Sequence, residues 1–123
     1  MECNWEMKMS VTKNMALEDN RLYITDDNSN IWALDATTGG VLWKQADFSF
    51  RKLTSPVLMG DNILIADLEG YLHIVAKADG HQITRTQVDS AGIDVKPIVI
   101  DKNIYLQSKK SVIYVLGLKS LAL

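Results

Sequence analysis

The feature that most constrains how this chain can fold is an internal repeat. The apolar run Leu-Tyr-Ile at residues 22–24 recurs 41 residues later as Ile-Leu-Ile at 63–65, and again as Ile-Tyr-Leu at 104–106. A second apolar run recurs with the same shift and without a gap, at residues 31–34, 72–75 and 113–116. Repeats of roughly 20–50 residues are typical of chains that place copies of one small structural unit side by side. The chain of 123 residues therefore contains about three copies of one unit.

Each copy contains four short apolar segments separated by turn-like residues. In the second copy these segments lie at residues 56–59, 63–66, 71–75 and 82–86. They are rich in isoleucine, valine, leucine, tyrosine and threonine, and their length suits β-strands better than helices. Four antiparallel strands in about 41 residues are typical of a β-propeller blade. The alternative, a sandwich of meandering hairpins, would not require a fixed period.

The expected blade boundaries follow from the repeat. We expect complete blades at residues 15–46 and 56–88 and a three-stranded partial blade at 97–116. Residues 5–9, whose tryptophan echoes Trp43, are expected to form the outer strand of a preceding blade. Closed propellers have roughly four to eight blades. The sequence therefore predicts an all-β fold with about three blades' worth of strands, too few to close a ring of the usual size.

Composition and charge exclude several classes of protein. The chain carries 13 basic and 15 acidic side chains, a net charge of −2, so it has no basic excess with which to bind nucleic acid or an anionic membrane. Its single cysteine, Cys3, excludes an internal disulfide and a zinc cluster. Only Met1 and Glu2 precede Cys3, so we expect neither a signal peptide nor a lipidation site in this chain.

The first complete copy carries a recognisable motif. Its run ALDATTGGVLW matches the pattern A-x-D-x-x-T-G-x-x-x-W through Ala33, Asp35, Thr38, Gly39 and Trp43. This pattern resembles the PQQ-like, or quinoprotein-type, propeller repeat. We expect Asp35 and Thr38 to bond backbone groups of the turn between the third and fourth strands, and Gly39 to adopt the positive φ that a tight turn needs.

The tryptophan of the motif is expected to dock neighbouring blades. Trp43 should lie on the outer strand, mostly buried, where its large ring can cover the boundary between two blades. The second copy keeps the turn glycine as Gly80 but has Thr84 in place of the tryptophan, and we do not expect Thr84 to be buried. The motif is therefore predicted to be structural.

A more specific resemblance rests on three further stretches. The chain reads LTSPVL at residues 53–58, EGYLH at 69–73 and VDS at 88–90. Together they resemble the C-terminal blades of a family of lipoproteins that serve the bacterial outer-membrane β-barrel assembly machinery, the BAM complex. The likeness covers nearly the whole chain from about residue 15.

This resemblance implies a fold, a place and a function. It implies a fragment of an eight-bladed propeller that, in the intact family member, is lipid-anchored at the periplasmic face of the outer membrane. It implies a non-enzymatic scaffold that binds the POTRA domains of the barrel-forming partner BamA. The partner-binding loops of the family lie in blades upstream of this segment, so the partner-binding residues of this chain stay unassigned.

Two other functions remain as alternatives, a fragment of a PQQ-dependent quinoprotein dehydrogenase and an unassigned propeller module that binds proteins. The sequence shows no converging set of catalytic, cofactor-binding or metal-binding residues, and we expect no cofactor and no enzymatic activity. Residues 26–30 open like a calcium loop, but Ile31 and Thr37 stand where such a loop requires glycine and glutamate. A polar turn is the better interpretation.

The two histidines are expected to be structural. His73 lies in the middle of an apolar segment, and the repeat places Trp32 and Tyr114 at the equivalent positions. Every copy thus has a large, partly polar ring at this position, which favours a packing role. A catalytic role would need partner residues that converge on the ring. His81 lies in a turn-like stretch.

The strand count also predicts self-association. Residues 5–9 supply a fourth strand, and residues 97–116 supply three strands that lack a fourth. Because unpaired strand edges pair readily with other chains, we expect head-to-tail association in which residues 5–9 complete the partial blade of a neighbour. Two copies would give six blades and three copies nine.

Overall fold

The computed structural model describes residues 2–48 and 51–117, and in these residues it has eleven β-strands and no helix. The all-β prediction is therefore confirmed. Within each sheet, the strands pair antiparallel with their neighbours in sequence, which gives two four-stranded sheets and one three-stranded sheet. The strands are β1 (Ala16–Glu18), β2 (Arg21–Thr25), β3 (Ile31–Asp35), β4 (Val41–Gln45), β5 (Val57–Met59), β6 (Asn62–Ala66), β7 (Tyr71–Ala76), β8 (Gln82–Gln87), β9 (Ile98–Ile100), β10 (Asn103–Gln107) and β11 (Ile113–Gly117).

Strands β1–β4, β5–β8 and β9–β11 form the first, second and third sheets. The sheets span residues 16–45, 57–87 and 98–117, against blades expected at 15–46, 56–88 and 97–116. Since the described residues contain no helix, they contain none that is long and apolar enough to span a membrane.

The sequence repeat is a repeat of backbone geometry. The ladder shifts register at the Ala33/Leu34 step in the first sheet and at Ile74/Val75, 41 residues later, in the second. Residues with a left-handed φ, between +51° and +87°, occupy the same two turn positions of all three sheets. They are Asp19, Gly60 and Asp101 before the second strand, and Ser29, Gly70 and Ser111 before the third.

The apolar core lies in two layers, one on each side of the second sheet. Successive side chains of a strand point to opposite faces. On β6, Ile63 and Ile65 therefore pack against the first sheet, whereas Leu64 and Ala66 pack against the third. All four are fully buried, so the central sheet has two buried faces, which explains its continuous apolar runs.

Residues 5–9 do not form the predicted outer strand, and the first strand of the described residues begins at Ala16. The reason is that a fourth strand needs the third strand of its own sheet as a hydrogen-bonding partner, and no described strand lies beside this segment. The segment instead crosses the outer face of the first sheet. Met7 and Met9 there line a cavity of about 270 Å³ with apolar residues of that sheet, among them Leu22.

Candidate functional site: the blade seams and the Asp67 cluster

The turn between β3 and β4 is held by the motif residues. One oxygen of the Asp35 carboxylate accepts the backbone N–H groups of Thr37, at 2.9 Å, and Thr38, at 3.0 Å. The Thr38 hydroxyl oxygen accepts the N–H of Gly40 at 3.1 Å, and Gly39 has a φ of +78°. The N–H groups of Thr38 and Thr37 hold the pKa of the Asp35 carboxyl below its usual value. Asp35, Thr38 and Gly39 therefore all act in this one turn.

Trp43 docks the first sheet onto the second. Its indole N–H donates to the carbonyl oxygen of Lys77 at 2.8 Å, and its ring lies so close to Gly80 that a Cβ atom there would be 2.5 Å from it. The side chain is buried, as is Ala33 directly opposite on β3, while Thr84 is only partly buried. We call such a boundary between two neighbouring sheets a seam, and Trp43 closes the first one.

Trp5 makes the same contact one repeat earlier. Its indole N–H donates to the carbonyl oxygen of Ala36 at 2.9 Å, and a Cβ atom on Gly39 would lie 2.6 Å from its ring. The two acceptor carbonyls are 41 residues apart, and so are the two glycines. Trp5 therefore occupies the position that the outer-strand tryptophan of a preceding sheet would occupy.

Gly80 is expected to be intolerant of a side chain, and Gly60 is its matched control. Both have positive φ, +78° and +56°, but a Cβ on Gly60 would meet nothing within 4 Å. Either change to alanine should cost about 1 kcal/mol for the left-handed backbone. Gly80→Ala must also displace Trp43, which we expect to add about 1–3 kcal/mol. Chemical denaturation measures both free energies of unfolding, and equal losses would contradict the seam geometry.

A buried polar cluster lies in the second sheet, where β6 ends and β7 begins. The side chains of Asp67 and His73 are fully buried, and the His73 Nε2 atom lies 2.6 Å from an Asp67 carboxylate oxygen. Since a carboxylate only accepts hydrogen bonds, Nε2–H is the donor. The Arg51 guanidinium donates to the same oxygen at 3.1 Å and to Glu69 at 3.3 Å. The His73 imidazole and the Arg51 guanidinium thus converge on one carboxylate.

The other Asp67 oxygen caps the turn that follows β6. It accepts the backbone N–H groups of Glu69, at 2.9 Å, and Tyr71, at 3.0 Å. Burial raises the pKa of the Asp67 carboxyl, but the hydrogen bonds from His73, Tyr71 and Arg51 outweigh it and hold the pKa below its usual value. The carboxylate is therefore ionised at neutral pH, and it ties the turn to the connection that carries Arg51.

His73 is packed as the sequence predicted, but the expectation that no partners converge on it is wrong. Its ring lies 4.7 Å from Phe48 and 6.0 Å from Tyr71 between ring centroids, and its Nδ1 atom has no hydrogen-bond partner among the described residues. The sequence analysis missed Asp67 and Arg51. Arg51 has no sequence signal, since it lies in an irregular connection.

The sequence repeat does contain a pattern from which the Asp67–His73 pair could have been predicted. In the first sheet, Asp26 accepts the indole N–H of Trp32 at 2.9 Å, so an aspartate precedes the polar ring by six residues in both copies. The third copy has Ser108 in place of the aspartate, and the hydroxyl of Tyr114 donates instead to Asp89 at 2.9 Å. Each sheet thus ties this ring to a carboxylate.

The loop at residues 26–30 is a turn between β2 and β3, as expected. One Asp26 oxygen accepts the N–H groups of Asn28 and Asn30, each at 2.9 Å. The Asp27 carboxylate accepts the hydroxyl groups of Ser10, at 2.6 Å, and Thr12, at 2.8 Å. The carboxylates thus bind the chain itself, and the described part of the chain holds no group of three or more His, Cys, Asp or Glu placed for a metal ion.

The remaining candidates from the sequence lie apart from this cluster. His81 is exposed in the turn after β7 and pairs with Asp79, and Cys3 is exposed.

The burial of the Asp67 cluster determines whether it can act on a substrate. An acid–base pair can act on a substrate only if the substrate reaches it, and the side chains of Asp67 and His73 have no exposed surface. The pair is suited to holding the fold together.

The four-stranded meanders, the recurring left-handed turns and the docked tryptophans define a β-propeller of the PQQ-like repeat class. Within that class the chain is related by sequence to BamB. A family model described as "Outer membrane protein assembly factor BamB" matches residues 3–50. The BamB of Legionella pneumophila (strain Paris) is 44% identical over 102 residues, which are 83% of this chain and 26% of that protein.

Solved structures agree on the fold. The crystal structure of BamB from Moraxella catarrhalis matches with a TM-score of 0.81 and 27% identity, over 89% of this chain and 32% of that one. A quinohemoprotein alcohol dehydrogenase from Pseudomonas putida matches with a TM-score of 0.69 but 18% identity, over 84% of this chain and 17% of that one, and shares the fold alone. The chain thus corresponds to about a quarter to a third of its BamB relatives and matches blades of a larger propeller.

Proposed function

We propose that this chain is a non-enzymatic part of a BamB-type scaffold that acts in outer-membrane β-barrel assembly at the periplasmic face of the outer membrane. The observation that carries the proposal is the 44% identity to a BamB over 83% of the chain, which exceeds what the blade motif alone requires. The closed Asp67–His73 pair supports a structural role, because neither side chain is open to a substrate.

The partner proposed for the intact protein is the set of POTRA domains of BamA. The likeness to BamB extends through all three sheets, whereas the likeness to the dehydrogenase is confined to the fold. A scaffold needs a rigid frame that presents loops to a partner. The docked seams and the capped turns of this chain provide such a frame.

A chimera tests this function. The matching 102 residues of the Legionella pneumophila BamB are replaced by this chain, and the chimera is produced in cells that lack BamB. We expect it to restore outer-membrane protein levels and to be captured by immobilised BamA POTRA domains. The control chimera carries the matching blades of the Pseudomonas putida quinohemoprotein, which share the fold alone. Protease resistance first establishes that each chimera is folded. A folded chimera that fails in both assays, or a control that succeeds equally, would overturn the proposal.

A further inference from the structure

We propose that a groove at one end of the first seam is a docking site for an arginine side chain of a partner protein. The groove has a volume of about 450 Å³, and it is lined by the turns between β1 and β2, between β5 and β6, and between β7 and β8. Ligand sites typically have volumes of roughly 300–1,000 Å³. Both sheets that form the groove have four strands, so it is a feature of this seam and not of an outer face.

A buried hydroxyl group without a partner lines the groove. Tyr23 is 2% exposed and its ring packs against Trp43, but its hydroxyl makes no hydrogen bond with any residue in the ranges 2–48 and 51–117. A polar group that is buried without a partner opposes folding, and such groups are rare in proteins. Because Tyr23 lines the groove, a molecule bound there can supply the missing hydrogen bond.

The packing of the sheets does not require this hydroxyl. The repeat equivalent of Tyr23 in the second sheet is Leu64, which is fully buried against the third sheet and has no polar side-chain atom. The acidic Asp61, which also lines the groove, has the basic Lys102 as its equivalent one repeat later. The apolar packing is therefore common to both seams, whereas the polar groups of the groove are particular to the first.

Two exposed carboxylates accompany the hydroxyl. Asp19 lies in the turn between β1 and β2, and Asp61 lies in the turn between β5 and β6. Neither carboxylate has an ion pair or a hydrogen bond among the residues that the structure describes. Both residues line the same groove as Tyr23, so a bound cation would find acceptors on two turns and a hydroxyl oxygen between the sheets.

The two cations of the groove are already engaged. Lys77 forms an ion pair with Glu18, and its side chain is only 11% exposed. The Arg21 guanidinium donates to the carbonyl oxygen of Lys77 at 3.3 Å, the same oxygen that accepts the indole N–H of Trp43. The three carboxylates of the groove outnumber its two cations, which gives it a net charge of −1. A cationic ligand is therefore favoured over an anionic one.

Arginine fits these acceptors better than lysine. Its planar guanidinium carries five N–H donors in a fixed fork, which can serve two carboxylates and a hydroxyl oxygen together, whereas an ammonium group is a compact and strongly hydrated charge. The apolar stem of an arginine can lie along Ala76 and Ala78, which also line the groove. What the groove binds does not depend on the proposed function, because these groups would recognise an arginine on any partner.

A titration of the isotope-labelled 123-residue chain with N-acetyl-arginine amide, followed by NMR, tests this site. We expect saturable shifts of the backbone amide signals of Gly60, Asp61 and Asn62, and an affinity that falls as the salt concentration rises. N-acetyl-citrulline amide has nearly the same shape without the charge and should bind about tenfold more weakly. N-acetyl-lysine amide should also bind more weakly, because it lacks the fork of donors.

Two variants test the two kinds of acceptor. Asp61→Asn should weaken the binding of the arginine probe about tenfold. Tyr23→Phe should weaken it about fivefold, because the new ring keeps the packing and loses only the hydroxyl. The matched control is Asp101→Asn. Asp101 occupies the same turn position as Asp19, with a left-handed φ of +54°, but it does not line the groove, so the affinity should stay unchanged.

Other results would overturn the proposal. No saturable binding, or equal affinities for the arginine, lysine and citrulline probes, would show that the groove does not recognise a guanidinium. Tighter binding of N-acetyl-aspartate amide would assign the groove to an acidic partner through Arg21. Unchanged affinity in both Asp61→Asn and Tyr23→Phe, with circular dichroism showing that each variant is folded, would place the bound arginine elsewhere. The chimera experiment does not measure binding in this groove, so the two proposals can fail separately.

Discussion

Replacing Trp43 by alanine should lower the free energy of unfolding by about 3–5 kcal/mol, the usual cost of emptying a buried aromatic site. The ring is 9% exposed and packs 6.3 Å from Tyr23, measured between ring centroids. The substitution removes that contact, leaves the carbonyl oxygen of Lys77 without its donor, and opens a cavity above Gly80. Equilibrium denaturation followed by circular dichroism measures the loss.

Two further variants separate the contributions to this effect. Trp43→Phe retains a large ring over Gly80 but loses the hydrogen bond to Lys77, so it should cost less than the alanine variant. Thr84→Ala changes the equivalent outer-strand position of the second sheet, where the side chain is small and only partly buried, and should be close to neutral. An unchanged melting temperature for Trp43→Ala would refute the docking role.

Asp67→Ala should be comparably destabilising, by about 3–5 kcal/mol, because removing one partner of a buried ionic contact leaves the others uncompensated. The Arg51 guanidinium and the His73 Nε2–H group would lose their acceptor, and two backbone N–H groups of the turn would lose their cap. Asp35→Ala is the matched control. Asp35 caps its turn in the same way but is only partly buried and has no histidine or arginine partner, so a much smaller loss is expected.

The Asp67 contribution should also depend on pH. Its pKa is lower in the folded chain than the value of about 3.9 typical of an unfolded one. A lowered pKa means that the stabilisation is complete above the unfolded value and disappears as the pH falls through the folded value. The difference in unfolding free energy between wild type and Asp67→Asn should therefore be constant near neutral pH and shrink below about pH 4. A difference that is the same at pH 3 and pH 7 would contradict an ionised Asp67.

Sequence reasoning predicted much of the fold because each sheet is built from local contacts. Hairpins between adjacent strands depend on apolar alternation and on turn residues, and both are visible within one 41-residue copy. The motif turn was predictable for the same reason, since Asp35 bonds residues two and three positions later. The Asp67–His73 pair was within reach of the same reasoning, because Asp26 and Trp32 repeat its spacing.

Other features depend on residues that are distant in sequence. Arg51 reaches Asp67 from an irregular connection that has no repeat pattern. Trp43 donates to the carbonyl oxygen of Lys77 and packs against Gly80. Both residues belong to the next sheet, so these contacts depend on how the two sheets pack. These contacts form only once two sheets face each other.

The sequence by itself determined the repeating unit of this protein, a short antiparallel sheet, because period, alternation and turn chemistry are local properties of the chain. Only the tertiary structure decided whether the segment at residues 5–9 pairs as a strand and which polar side chains meet. Residues 5–9 carry the pattern of an outer strand, yet they stay irregular, because a strand exists only beside a partner. His73 carries the pattern of a packed ring, yet it donates to a buried carboxylate, because the fold brings Asp67 and Arg51 to it.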